Sequence, residues 1–529
     1  MPDTNVNECL SSVDAFFLYL EQPGAPMNVA SISVFEGVIT LAECTEDIEC
    51  KLPQMPRFLQ CVVPPPFGLG LPTWQSDSNF DVTNHIREIS LKRGTETEFK
   101  TCVSDILSTH LDRNRPLWDI TLVHGLKGQR TGVIVRTHHC LLDGIAGVGM
   151  LKTLLDDSPT PAPLKHPRRK HSVEAGAHLN GASVLLDGLI STCFTTAQAL
   201  LTTHSELLRM AQHMSAPKPR EPDTGMPSGN GGMSFGGFSQ FGELARLLSE
   251  LARPTERLPF NVLCHGPQRF EWCEIPMDEI TAIKQACSGT VNDVVLTTMT
   301  STLQRYAELH QLQLKGRTLR LVLPVNLRGT VETNDTGNQI TFLPVDIPFG
   351  IRAPQKLIAS VQERVASSRT AHGAELVGLI ATLLGAVPSP LQSLIGNILS
   401  QLPISVCNSI CTNVHGPRTP LYLLGHKMLS SYPYVPIGGE MGMNCAVLSY
   451  NGTLFVGFTG DAAAIPDLDR LPLFFEESFA ELKTAMGIRP VPKRRPRQRK
   501  PKATPAPPSD QTELISAEPI LMNSDAAAA

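Results

Sequence analysis

Thr137-His138-His139-Cys140-Leu141-Leu142-Asp143-Gly144 is the stretch on which the reading of this 529-residue chain turns. The β-branched run Val133-Ile134-Val135 stands before it, and Ile145, Val148, Met150, Leu151, Leu154 and Leu155 follow at helical spacing. The pattern predicts a strand that ends on the histidines and opens into a helix. Loops held between rigid elements are where reactive side chains are usually carried.

An imidazole titrating near about 6.5 can take a proton from a hydroxyl and return it to a leaving group at neutral pH. Side chains alternate faces along a strand, so His138 and His139 point apart and cannot play one role together. Asp143 can orient an imidazole or lock the loop through a distant arginine, and Gly144 permits a close turn into the helix. Histidine and aspartate are also metal ligands, but the two rings diverge and no second His/Glu pair stands nearby, so no metal is expected. Cys140 sits beside apolar Leu141 and Leu142, which disfavours a thiolate and suits a packed thiol.

Outward from this stretch the chain divides in three. Residues 1–158 mix helical and strand patterns, and Ser11-Ser12-Val13-Asp14 resembles a capping box opening the helical run Ala15 to Leu20. Residues 159–259 read as a crossover, beginning with Pro159, Pro161, Pro163 and the basic cluster 165–170. It carries a predicted helix over 182–214, suited to packing on the body or lying on a lipid interface, and a Gly/Pro-rich stretch over 215–242. Globular order resumes over 260–487, with a strand at 269–275, helices at 277–287 and 291–310, and a strand at 319–325. An apolar helix pair over 375–403 suits a core face or a tunnel lining, and Asn451-Gly452 marks a hairpin within 446–460. Residues 488–529 read as a disordered basic tail. The class is mixed α/β (α+β).

Composition narrows the function. The chain is 42% hydrophobic and 18% charged, ordinary for a globular protein large enough for more than one core. The net charge is -5, yet the stretch from Arg489 holds eight basic and four acidic residues, leaving 37 basic against 46 acidic in the body. An acidic body argues against a nucleic-acid partner. Thirteen scattered cysteines without a C-x-x-C pair suit reduced thiols rather than a disulfide framework or zinc ribbon. Neither a signal-peptide pattern nor an apolar run of spanning length occurs, so a cytoplasmic protein is expected. Any contact with the inner face of the membrane or a lipid droplet is then peripheral.

The histidine stretch resembles the H-H-x-x-x-D-G motif of the CoA-dependent acyltransferase superfamily. Most of residues 9–485 resembles its bacterial wax ester synthase/diacylglycerol acyltransferase family. The segments that carry this are Leu10-Ser11-Ser12-Val13-Asp14-Ala15-Phe16, Arg115-Pro116-Leu117-Trp118, Val291-Asn292-Asp293-Val294-Val295 and Pro324-Val325-Asn326-Leu327-Arg328. Gly337-Asn338-Gln339 and Thr412-Asn413-Val414-His415-Gly416-Pro417 complete them. The resemblance implies two chloramphenicol-acetyltransferase-like domains in pseudo-twofold arrangement, with the active site at their interface and a tunnel through the middle. It implies no cofactor: acyl-CoA is a substrate, and the acceptor is diacylglycerol or a long-chain fatty alcohol.

On this reading His139 is the general base, while His138 and Asp143 are structural support, Asp143 pairing with Arg328. Asn292 is an oxyanion donor or the cap of its helix, and Thr412 and Asn413 are further donor candidates. Pro116, Leu117 and Trp118 shape a substrate pocket or pack a core. Arg136 meets CoA phosphates or ends its strand. The rival readings are a polyketide-associated or peptide-synthetase-type acyltransferase and a catalytically silent lipid-binding or lipid-droplet protein. The long 215–242 stretch and the basic tail depart from the usual family pattern.

Overall fold

The computed structural model describes residues 8–65, 71–142, 144–160, 255–326, 340–370 and 407–488. The expected helix at 182–214, the 215–242 stretch, the helix pair at 375–403 and the basic tail lie outside the described residues, as do Asp143, Arg328 and Gly337-Asn338-Gln339.

The first part of the chain runs β1 (Glu8–Cys9), α1 (Ser12–Leu20), β2 (Asn28–Glu36), α2 (Leu41–Lys51), β3 (Gln60–Val63), β4 (Thr73–Ser76) and β5 (Ile86–Ser90). It continues through α3 (Glu96–Leu107), β6 (Trp118–Leu126), β7 (Arg130–His138) and α4 (Gly144–Leu154). Beyond residue 254 come β8 (Gln268–Pro276), α5 (Met277–Ala286), α6 (Val291–Leu309), β9 (Arg317–Asn326), β10 (Ile340–Phe349) and α7 (Pro354–Thr370). The last described elements are β11 (Ser409–His415), β12 (Tyr422–Leu423), β13 (His426–Tyr434), β14 (Met443–Tyr450), β15 (Thr453–Asp461) and α8 (Arg470–Ala485).

Local chemistry explains these boundaries. Ser11 caps α1 by accepting the Asp14 amide at 3.1 Å. Thr40 with Glu43 opens α2, and Thr290 with Asp293 opens α6, each as a reciprocal capping box. Asn451 and Gly452 take φ of 43° and 82°, the left-handed pair a two-residue turn demands, and join β14 to β15 where the sequence placed a hairpin. The expected strands at 269–275 and 319–325 and helices at 277–287 and 291–310 form within two residues of those bounds.

Two six-stranded sheets organise the molecule, ordered β12-β13-β2-β7-β6-β5 and β10-β9-β11-β14-β15-β8, so the chain adopts the mixed α/β class its sequence implied. Each sheet centres its own apolar core. In the first, β7 lies between β2 and β6 and is buried from Thr131 to His138, as a central strand rich in β-branched residues should be.

The halves share elements. Strand β13 follows β11 in sequence, yet it pairs antiparallel with β2 in the first sheet. Its Tyr432 stacks on Trp272 of β8 in the second, with centroids 4.8 Å apart, and its hydroxyl donates to Glu274 Oε1 at 2.6 Å. Helix α3 covers the open edge of the second sheet. Ser104 Oγ and Ser108 Oγ, one turn apart, accept the Phe270 and Gln268 amides of β8 at 3.0 and 2.9 Å. Edge amides that would otherwise seek another strand are satisfied by serine hydroxyls.

Candidate active site

Strand β7 delivers His138, and the chain turns at once. The His138 carbonyl accepts the Leu141 amide at 2.9 Å, and the His138 amide donates to the Leu117 carbonyl at 3.0 Å. The His138 side chain is 1% exposed, and its Nδ1 accepts the Cys140 amide at 3.1 Å. The ring proton therefore sits on Nε2. Nε2 has no hydrogen-bond partner and lies 3.6 Å from Glu21 Oε1, beyond hydrogen-bonding range and within electrostatic reach. Burial pushes the His138 pKa down, with Glu21 pulling the other way, so its ring is neutral near pH 7.

His139 is less enclosed. It opens the turn and is only half-buried, its amide donates to the Met27 carbonyl at 2.8 Å, and its ring lies on Phe17. Backbone and ring are thus both held by the α1 region. Met27 is tied back in turn, its amide donating to Glu21 Oε1 at 3.1 Å.

Glu21, one residue past the end of α1, is the hub that sequence reasoning missed. Its carboxylate is 5% exposed and takes Arg113 on Oε2, at 2.6 Å from Nη2 and 3.2 Å from Nε. His110 Nδ1 lies 3.2 Å from Oε1. Burial works against the charge, but the His138 ring and the Arg113 guanidinium outweigh it and hold the carboxyl well below the ordinary carboxylate range. Nothing local in the sequence marks Glu21. The resemblance segment near the start ends at Phe16, and the hub's partners come from 110–138.

The other expected site residues fall into separate settings. Gly144 is the first residue of α4. Pro116, Leu117 and Trp118 are buried; Leu117 holds the His138 amide, and the Trp118 indole donates to the Phe58 carbonyl at 2.8 Å and stacks on His85 at 4.4 Å. Asn292 stands in the first turn of α6 but does not cap it, since Thr290 and Asp293 fill that role. Instead, Asn292 Oδ1 accepts from Asn413 Nδ2, a residue of β11. Beside it, the Thr412 hydroxyl is buried without a hydrogen-bond partner. These groups converge where β11 meets the N-terminus of α6.

Two ambiguities of the sequence are resolved. Arg136 is 1% exposed and bound to Asp119, with Nε 2.9 Å from Oδ1, and to the Thr109 carbonyl and hydroxyl at 2.9 Å. A guanidinium so occupied is structural and cannot reach a phosphate in solvent. Cys140 is buried, and burial drives its thiol far up in pKa, away from nucleophilic chemistry. Among the described residues the cysteines are free, no cluster of three His, Cys, Asp or Glu could hold a metal, and no helix is long and apolar enough to cross a membrane.

Comparison with known proteins bears on the whole body of the chain. The wax ester synthase/diacylglycerol acyltransferase catalytic domain matches residues 10–295, and the WS/DGAT C-terminal domain matches residues 336–483. A Mycobacterium tuberculosis protein named as a diacylglycerol O-acyltransferase is 25% identical over 493 residues, covering 92% of this chain and 98% of its own length. A second from the same organism, similarly named, is 27% identical over 492 residues, with 90% of each chain covered. Among solved structures, the wax ester synthase/diacylglycerol acyltransferase from Marinobacter aquaeolei VT8 superposes with a TM-score of 0.58 at 20% identity, over 90% of this chain and 100% of that one. The first condensation domain of the calcium-dependent antibiotic synthetase gives 0.55 at 15% identity, over 92% and 97%, which marks a shared fold. With both domain models matched in order along its body, this chain belongs to the wax ester synthase/diacylglycerol acyltransferase family and is an acyltransferase.

Proposed function

We propose that the protein transfers a long-chain acyl group from acyl-CoA to diacylglycerol, making triacylglycerol, and also accepts long-chain alcohols to make wax esters, with His139 as general base. The observation that carries the assignment is the asymmetry of the two histidines. His138 is sealed, its Nδ1 committed to the Cys140 amide, whereas His139 is half-buried at the strand end with its backbone and ring braced. This difference supports the second histidine as the one that meets a substrate.

The chemistry balances on one imidazole. An alcohol with a pKa near about 16 is a poor nucleophile, so His139 takes its proton as the oxygen attacks the thioester carbonyl. The tetrahedral intermediate collapses with cleavage of the carbon–sulfur bond, and His139 returns the proton to the departing CoA sulfur. Ester and free CoA leave with no covalent enzyme intermediate, which fits the burial and raised pKa of Cys140, the thiol adjacent to His139 in the chain. Asn292 serves as an oxyanion donor: Asn413 binds its Oδ1 and so leaves its Nδ2 protons for another acceptor. The resemblance gives Asp143 and Arg328 the part of a supporting pair, and in this reading Pro116, Leu117 and Trp118 form the wall behind the strand end. The two halves at 1–158 and 260–487, joined through 159–259, build this one site between them. Acyl-CoA is a substrate, no cofactor is required, and the protein works on lipid at a membrane or droplet surface as a peripheral cytoplasmic protein.

The reading is tested by offering purified enzyme radiolabelled acyl-CoA with diacylglycerol and hexadecanol in competition. Labelled triacylglycerol as the main product, with wax ester as the lesser one, is the expected result. Absence of both from an enzyme that binds acyl-CoA would leave a lipid-binding protein that has kept the fold.

A further inference from the structure

We propose that Glu21 is a positioning residue for the histidine pair, holding His138 through its carboxylate and His139 through Met27; this rests on His139 being the base. One carboxylate oxygen, Oε1, makes both connections. It lies 3.6 Å from His138 Nε2, the nitrogen that carries the ring proton, and it accepts the Met27 amide at 3.1 Å. The Met27 carbonyl then accepts the His139 amide at 2.8 Å. The base is thus linked to Glu21 through the backbone of a single residue, Met27. Phe17, one helical turn earlier, lies on the His139 ring, so the end of α1 and the chain behind it grip the motif at ring and backbone.

The hub is built to keep that oxygen charged. Arg113 occupies Oε2 through two nitrogens and also donates to the Leu18 carbonyl at 3.0 Å, which anchors it to the end of α1. His110 approaches Oε1 at 3.2 Å through Nδ1, while its Nε2 lies 3.0 Å from the Pro23 carbonyl. Arg113, His110 and His138 are the titratable or charged groups in contact with the carboxylate, and they come from the 109–117 loop and β7. A carboxylate without contact to substrate can still set the rate, because loss of alignment by about 1 Å can lower turnover about a hundredfold.

The test compares Glu21→Gln, Glu21→Ala and His139→Ala in the full-length protein, reading kcat, KM for acyl-CoA, the pH profile of kcat/KM and thermal melting. Glutamine keeps an oxygen for the Met27 amide but loses the charge. We expect kcat to fall about tenfold in Glu21→Gln and about a hundredfold in Glu21→Ala, with KM within about twofold. With the negative charge gone and Arg113 unopposed, the acid limb of the profile should move to lower pH in Glu21→Gln. A cooperatively melting Glu21→Gln protein with wild-type kcat and pH profile overturns the assignment, as does a change in KM alone. If Glu21→Ala fails to fold, Glu21→Gln decides. Turnover retained by His139→Ala overturns the base and the Glu21 role with it, whereas a dead His139→Ala beside a fully active Glu21→Gln overturns Glu21 alone.

Discussion

The Phe17 ring lies parallel to the His139 imidazole, with centroids 3.9 Å apart and planes at 11°. A stacked pair of this kind contributes about 1 kcal/mol beyond buried area, and here it also restricts how the ring of the proposed base can turn. Phe17→Leu should therefore lower kcat by about tenfold while leaving KM for acyl-CoA near its wild-type value. Steady-state kinetics against varied acyl-CoA check this. A kcat unchanged within error would mean that the stack is packing alone.

A second expectation concerns acid. His138 is neutral in the folded protein because burial lowers its pKa from the ordinary 6.5, whereas in the unfolded chain it protonates near that value. Below pH 6.5 the unfolded state then binds more protons, so this contribution is complete above 6.5 and is lost as pH falls toward the folded value. Glu21, depressed from 4.5, adds loss of the same sign only below 4.5. Urea titrations between pH 7 and 5 should show a falling stability whose slope for one proton approaches about 1.4 kcal/mol per pH unit. His138→Gln should reduce that slope, leaving the share of His85, whose pKa burial also lowers. An equally steep slope in the variant would place the titration elsewhere.

What could be read from sequence was whatever lay contiguous in it. The two histidines, their strand and the helix beginning at Gly144 sit within one short stretch, but strand alternation does not describe the pair, because β7 ends at His138 and His139 stands in the turn that follows. Helix α1 was legible from its Ser11 cap. Glu21 was not, because Arg113, which gives it meaning, stands 92 residues away on a loop placed only by the fold. Arg136 misled by proximity to the motif; the register that puts Asp119 opposite it on β6 belongs to the sheet. Likewise β13 could not be assigned to the first sheet from its position after β11, since pairing with β2 is a tertiary choice.

Arg136 makes the third prediction. The Arg136–Asp119 pair is buried, and the guanidinium also serves the Thr109 carbonyl and hydroxyl, which fastens the end of α3 to β7. Removing one member of a buried pair strands the other, at a cost of about 3–5 kcal/mol. Lysine cannot restore the forked geometry, so Arg136→Lys should still lose about 2 kcal/mol in chemical denaturation. KM for acyl-CoA, measured on protein that remains folded, should not change. A large rise in KM with full stability would return Arg136 to a role in binding phosphate.

The start of α6 sets a capping residue two positions from the proposed oxyanion donor. Thr290 is the cap and accepts the Asp293 amide at 3.2 Å, while Asn292 is turned to Asn413. Thr290→Ala should lower stability by about 1 kcal/mol and leave kcat nearly intact. Asn292→Ala should do the reverse, lowering kcat about a hundredfold if its amide meets the oxyanion, with little change in melting temperature because the helix keeps its cap. Asn413→Ala frees the Asn292 side chain to rotate without removing it, so its kcat should fall between wild type and Asn292→Ala, and combining the two should add nothing to Asn292→Ala. Melting curves and steady-state rates on the four variants separate the two functions; a rate loss that tracks stability across the set would reduce Asn292 to a fold residue.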